Sequence, residues 1–148
     1  MCLFNPKVIK PKRNKIRVYK SIIVHYTTGI HQDCITLVSS YKNNYTWKVG
    51  SNQSSRTSTD LTNDERDLNE VYYGFHVFDK QKDAVNECYW YAQEVWVALT
   101  AYKKDYVCSG DFHTKEDCSV YTKLTLEKRE YERAIKRAIK KGIIPNKS

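Results

Sequence analysis

Glycine and proline are scarce in this 148-residue chain, with five of one and three of the other. Long disordered or low-complexity tracts are therefore not expected. No window approaches the ~18 consecutive apolar residues of a membrane span. The N-terminus, MCLFNPKVIKPKRNK, has no apolar run of the kind an export signal needs. Cys2, Cys34, Cys88, Cys108 and Cys118 are odd in number, which argues against a disulfide framework and for a reducing compartment. The signatures of catalysis are missing too. There is no Gly-rich phosphate loop, no G-x-S-x-G, no H-E-x-x-H and no paired H-x-T motif; His113-Thr114 is a lone fragment. The expectation is a soluble intracellular protein that is not an enzyme, with no catalytic residues, no cofactor and no membrane partner.

What is present is aromatic and basic. Twelve tyrosines lead the 13% aromatic content, and a Tyr-rich chain can bury its rings while keeping the hydroxyls wet. The net charge of +8 is unevenly spread. Residues 1–20 hold seven bases and no acid, and residues 123–148 carry +6, so the middle of the chain carries −5. Basic ends attract phosphate or nucleic acid, or simply keep a small protein in solution.

The pattern predicts one α+β domain over residues 16–148, preceded by an extended basic arm at 1–15. A mainly antiparallel sheet of six to seven strands with two helices, one central and one C-terminal, is expected. Strands are read at 16–26, 34–39, 45–49, 71–78, 94–102, from 105 onward, and at 119–126. The polar stretch 51–69 is read as a long loop, with a short helix at 61–68, and 109–117 as a polar connection. Gly74 inside a strand suggests a bulge. Asp79 is read as the N-cap of a helix whose stripe is Ala84, Val85, Cys88, Tyr91 and Ala92. The C-terminal helix, at 126–141, carries Tyr131, Ala134, Ile135, Ala138 and Ile139 on one side and bases on the other. Gly142 is placed to cap it.

Two constellations carry candidate chemistry. Cys108, His113 and Cys118 form C-x4-H-x4-C, the last three ligands of a zinc knuckle, with Asp105 where the first cysteine belongs. Asp105 is a poor zinc ligand, so two packing cysteines in a hairpin, and no metal, are expected. The second is a pocket for a small anionic nucleotide, which needs rings for the base and cations for phosphate. Trp47 and Tyr73 supply rings, Lys20 and Arg56 supply charge, and His76 supplies a hydrogen-bonding group. Arg56 stands alone in the uncharged run SNQSSRTST.

Several segments together resemble a family of small bacteriophage proteins. They are the arm beginning Met1-Cys2-Leu3-Phe4, Val18-Tyr19-Lys20, the Trp47–Gly50 turn, and the polar stretch with Arg56. Glu70–Phe78 (EVYYGFHVF), Asp83-Ala84, Asp105–Gly110 (DYVCSG) and Cys118–Leu124 (CSVYTKL) complete the set, GFHVF being the sharpest piece. The resemblance implies an anti-defence sponge that sequesters a cyclic-nucleotide immune signal in the host cytoplasm without cleaving it. A homo-oligomer would supply paired pockets for a two-fold ligand. Two other readings stand beside it: a protein-binding inhibitor of a host defence factor or nuclease, and a nucleic-acid binder using the basic C-terminal helix.

Overall fold

The long strand β2 (Lys15–Thr27) is the axis on which the molecule is built. In the computed structural model, which describes residues 3–39, 45–54, 70–71, 74–112 and 116–146, it pairs residue for residue with β8 (Glu94–Tyr102). Its opposite edge meets β7 (Phe75–Phe78) at Tyr19 and β3 (Cys34–Val38) from Ile23 to Thr27. The sheet runs β5-β11-β8-β2-β7-β10-β9-β1-β6, with β3 and β4 branching from β2, and every pairing is antiparallel. The short members are β1 (Leu3–Lys7), β4 (Thr46–Trp47), β5 (Gly50–Gln53), β6 (Glu70–Val71) and β11 (Lys123–Leu126). β9 (Tyr106–Phe112) and β10 (Glu116–Tyr121) form a hairpin.

Directly paired residues share a face of the sheet. On the first face Ile16 meets Ala101, Val18 meets Leu99, Lys20 meets Val97 and Ile22 meets Val95. Phe75 and Val77 of β7 face the same way, as do Tyr121 and Ser119 opposite them. Together with Leu37, Trp47, Leu124 and Leu126 these apolar side chains make the larger core. Each fully buried Val, Leu or Ile contributes about 1.5–3 kcal/mol relative to exposure. On the second face Arg17 meets Thr100, Tyr19 meets Ala98 and Ser21 meets Trp96.

Two helices cover that second face. Helix α1 (Gln81–Tyr89) buries Ala84 and Cys88, Ala84 packing with Phe78, Val107, Cys108, Cys118 and Val120. Helix α2 (Lys128–Lys141) buries Glu130, Ala134 and Ala138 at four-residue spacing, and its Arg137 guanidinium lies 3.4 Å from the Trp96 ring centroid. Gly142 ends α2 in the left-handed conformation (φ 86°) at no Cβ cost, as its position after the last apolar residue predicts. Lys141 then donates to the carbonyl oxygens of Cys88, Tyr91 and Glu94, each at 2.7 Å, and so ties α2 to the end of α1.

The α+β class and the mainly antiparallel sheet are as expected; the strand count of six to seven is too low, since eleven are described. Two breaks and two added strands account for the difference. Residues 71–78 are interrupted at Gly74, whose φ of 86° departs from extended backbone and separates β6 from β7. Residues 119–126 are divided at Thr122, whose amide turns to the Asp105 carbonyl. The arm contributes β1, paired with β9 and β6. Residues 109–112 and 116–117 are strand rather than connection, because Ser109 and Asp111 pair across the hairpin with Ser119 and Asp117. Of the polar stretch 51–69 read as a loop, residues 51–53 are strand, β5, paired with β11; residues 55–69, with the short helix read at 61–68, lie outside the described residues.

Candidate functional site

Asp79 follows β7 and continues the face of Phe75 and Val77. It does not cap α1: the N-cap position is Lys80, without a side-chain hydrogen bond. The Asp79 Oδ1 instead accepts a 2.7 Å hydrogen bond from the Ser119 hydroxyl. Ser119 lies 3.2 Å from the Ser109 hydroxyl, and Ser109 lies 2.6 Å from the Tyr106 hydroxyl. Because Ser119 spends its proton on the carboxylate, Ser109 donates to Ser119, and Tyr106 donates to Ser109. The chain of hydroxyls therefore has one direction, from Tyr106 to Asp79.

The amide of Ile9 closes the far end, donating to the Tyr106 oxygen at 3.1 Å. That bond lays the arm across this end of the first face. Between them is a cleft of about 440 Å³. Lys7, Lys10 and Lys12 form its outer wall; Ser109, Ser119, Tyr106, Tyr121 and Asp79 form its inner wall, with Ile16 and Val18 behind. Asp111 and Asp117 stand at its edge. Although Asp79 keeps considerable solvent exposure, its carboxyl pKa is raised. Partial desolvation is the chief cause; the Ser119 bond opposes it, and the like charge of Asp117 adds to it. Burial also raises the Tyr106 and Tyr121 hydroxyls, so both stay protonated donors at neutral pH.

Of the residues the sequence singles out, Lys20 and His76 come together. The Lys20 ammonium, on the apolar face between Val18 and Ile22, donates to the His76 carbonyl oxygen at 2.7 Å. Desolvation pushes its pKa down to about 8. The His76 ring is buried on the opposite face, that of Phe78. Trp47 sits in the core, its ring 4.7 Å from Phe75 and 5.1 Å from Tyr45, and its indole N–H donates to the Ser39 hydroxyl at 2.8 Å. None of these three lines the arm cleft. Arg56 and Tyr73 lie outside the described residues, as does His113 of the C-x4-H-x4-C pattern. Cys108 and Cys118 are buried in the smaller core and form no disulfide. Among the described residues no group of three or more His, Cys, Asp or Glu is placed to hold a metal ion. No helix among them is long and apolar enough to cross a membrane.

A second recess, of about 310 Å³, opens on the other face of β2. Glu130, exposed by only 3%, accepts from Arg17 at 3.2 Å and Arg133 at 2.8 Å through Oε1, with Arg129 at 3.9 Å. Arg13, Lys15 and Glu127 share the lining. The sequence singles out neither carboxylate as a site residue, Asp79 reading as a helix cap. Asp79 is two residues beyond Val77, on the same strand face, and Glu130 stands four before Ala134 on the sheet-facing stripe of α2. Those registers were the available signals.

No protein-family model, curated protein or solved structure matches this chain.

Proposed function

We propose that this protein binds and sequesters a small anionic nucleotide without transforming it, and that the arm cleft holds the ligand. The observation that carries the reading is the division of the cleft into two unlike walls. Lys7, Lys10 and Lys12 offer cations to phosphate groups. The opposite wall offers aromatic edges, hydroxyls and the Asp79 acceptor, which suit the ribose hydroxyls and base N–H donors of the same molecule. A simple anion would meet three carboxylates here as well as three ammonium groups; a nucleotide, having both phosphate and donor groups, matches both walls. The finer reading, an anti-defence sponge acting for a bacteriophage on an immune signal in the host cytoplasm, as a homo-oligomer, rests on the GFHVF-type resemblance.

Calorimetry against a panel of cyclic di- and trinucleotides tests it. We expect heat with at least one member, and chromatography of the released ligand should show it intact. Replacing Lys7, Lys10 and Lys12 together by Ala should weaken that binding at least tenfold, since each lost charge-assisted contact is worth about 1.5–3 kcal/mol. Absence of heat across the panel overturns the reading, and a cleaved product overturns its non-enzymatic part.

A further inference from the structure

Tyr89, Trp90 and Tyr91, consecutive at the end of α1, are exposed by 79%, 77% and 52%. Large rings normally bury most of their surface, and none of these belongs to either core cluster. Tyr89 and Trp90 meet edge to face with centroids 5.8 Å apart. The Lys141 ammonium fixes this turn against the last turn of α2 through the Cys88 and Tyr91 carbonyls.

A basic track leads away from the rings. Arg129, Arg133, Lys136 and Lys140 are exposed and fall at i, i+4, i+7 and i+11, one stripe along α2. At 1.5 Å per residue that stripe is about 16 Å long. It ends in the recess where Arg17, Arg129 and Arg133 gather on Glu130. Two carboxylates, Glu130 and Glu127 (3.8 Å from Arg129), among three guanidiniums leave positive charge in excess, and Arg13 and Lys15 add to it. The Glu130 Oε2 is buried with no hydrogen-bond partner among the described residues. That arrangement is costly for stability, and it is accounted for if Glu130 is a positioning residue that orients the half-exposed guanidiniums.

We propose that this surface binds single-stranded nucleic acid, phosphodiesters lying along the α2 stripe and unstacked bases lying on the Tyr89–Trp90–Tyr91 rings. Charge complementarity selects the phosphate chain. The exposed rings select a single strand, because a duplex keeps its base faces stacked and inaccessible. A lone nucleotide would occupy one end and leave most of the stripe unused. The surface lies on the helix-covered side of β2, away from the arm cleft, so it does not depend on the reading given above.

The test is fluorescence anisotropy of a labelled single strand of about 20 nucleotides with the full chain. With about four phosphate contacts, a fourfold rise in salt concentration should weaken binding about 50-fold. In the variant Arg129→Ala/Arg133→Ala/Lys136→Ala the same rise should cost only about threefold. Trp90→Ala should weaken binding about tenfold with the salt slope unchanged, as loss of base stacking does. All four residues are exposed, and thermal melting verifies that the variants remain folded. No binding at low salt, or a steep salt slope that survives the triple substitution, overturns the proposal. So does a duplex that binds as tightly as the single strand while Trp90→Ala has no effect. Cyclic-nucleotide heats should be unchanged in both variants, which separates failure here from failure of the arm-cleft reading.

Discussion

Two carboxylates stand on opposite faces of the same sheet, and they are held in opposite ways. Glu130 is buried and ringed by charge, with Arg17, Arg129 and Arg133 converging on one oxygen. Asp79 is open to solvent and approached by a hydroxyl, Ser119, backed by Ser109 and Tyr106. The Glu130 site concentrates positive charge in excess of what it neutralises. The Asp79 site sets its carboxylate at the end of a chain of neutral donors. The first arrangement suits recognition of a polyanion by charge, the second recognition of a small molecule by its hydrogen-bonding edge. That the arm supplies residues to both, Lys7 to Lys12 on one side and Arg13 and Lys15 on the other, shows how one basic segment serves two unlike surfaces.

The contrast is broken most directly by the same chemical change at both sites. Glu130→Gln removes the charge that lets three guanidiniums converge. Urea denaturation at pH 7 should show a loss of about 2–3 kcal/mol, below the 3–5 typical when a fully buried ion pair loses one member, because half-exposed arginines can turn to water. Asp79→Asn keeps an acceptor for Ser119 and should change stability by less than about 1 kcal/mol, since a group this exposed has little to lose. Equal effects at the two positions would erase the distinction. Ser119→Ala comes next in size, at about 0.5–1.5 kcal/mol, since it removes a buried hydroxyl that links Ser109 to Asp79. Tyr106→Phe should cost less, about 0.5–1 kcal/mol, the loss of one partly buried hydrogen bond. Its more telling consequence is local. Without the hydroxyl the Ile9 amide loses its anchor, and trypsin should cut after Lys7, Lys12 or Arg13 faster than in the parent protein, while the rest of the chain resists as before.

The architecture was largely legible in the residues, and the sites were not, for related reasons. Periodicity sees one element at a time. Glu94–Tyr102 was readable because its apolar run reports burial on both faces, and α2 because Tyr131, Ala134, Ile135 and Ala138 repeat at helical spacing. Trp47, Lys20 and His76 were plausible pocket residues by type. Their positions depend on partners far along the chain: Phe75 for Trp47, the apolar neighbours of β8 and β7 for Lys20, and the helix-covered face for His76. Asp79 looked like a helix cap because a carboxyl before a helix satisfies free amides well. The tertiary partner Ser119, forty residues away, won that competition. The hydroxyl chain joins β9, β10 and the residue after β7, and no local window contains all three.

The smallest expected effect sharpens the comparison from the side of pH. The Asp79 carboxyl is raised in the folded protein, mainly by desolvation and further by Asp117, against the pull of Ser119. A carboxyl that holds its proton more tightly when folded stabilises the fold most below its unfolded pKa of 3.8, and that contribution is lost as pH rises through the folded value. Other carboxylates will push the overall stability in the usual direction over the same range, so the quantity to measure is the difference between parent and Asp79→Asn. That difference should favour the parent at the acidic end and drift toward the variant as pH rises through the carboxyl range. Ser119→Ala should move the drift to higher pH, because the bond that holds the carboxylate down is gone. If the difference is flat, or slopes the other way, the Asp79 carboxyl is stabilised by its surroundings in the ionised form. The hydroxyl chain would then be an anion clamp much closer in character to the Glu130 cluster.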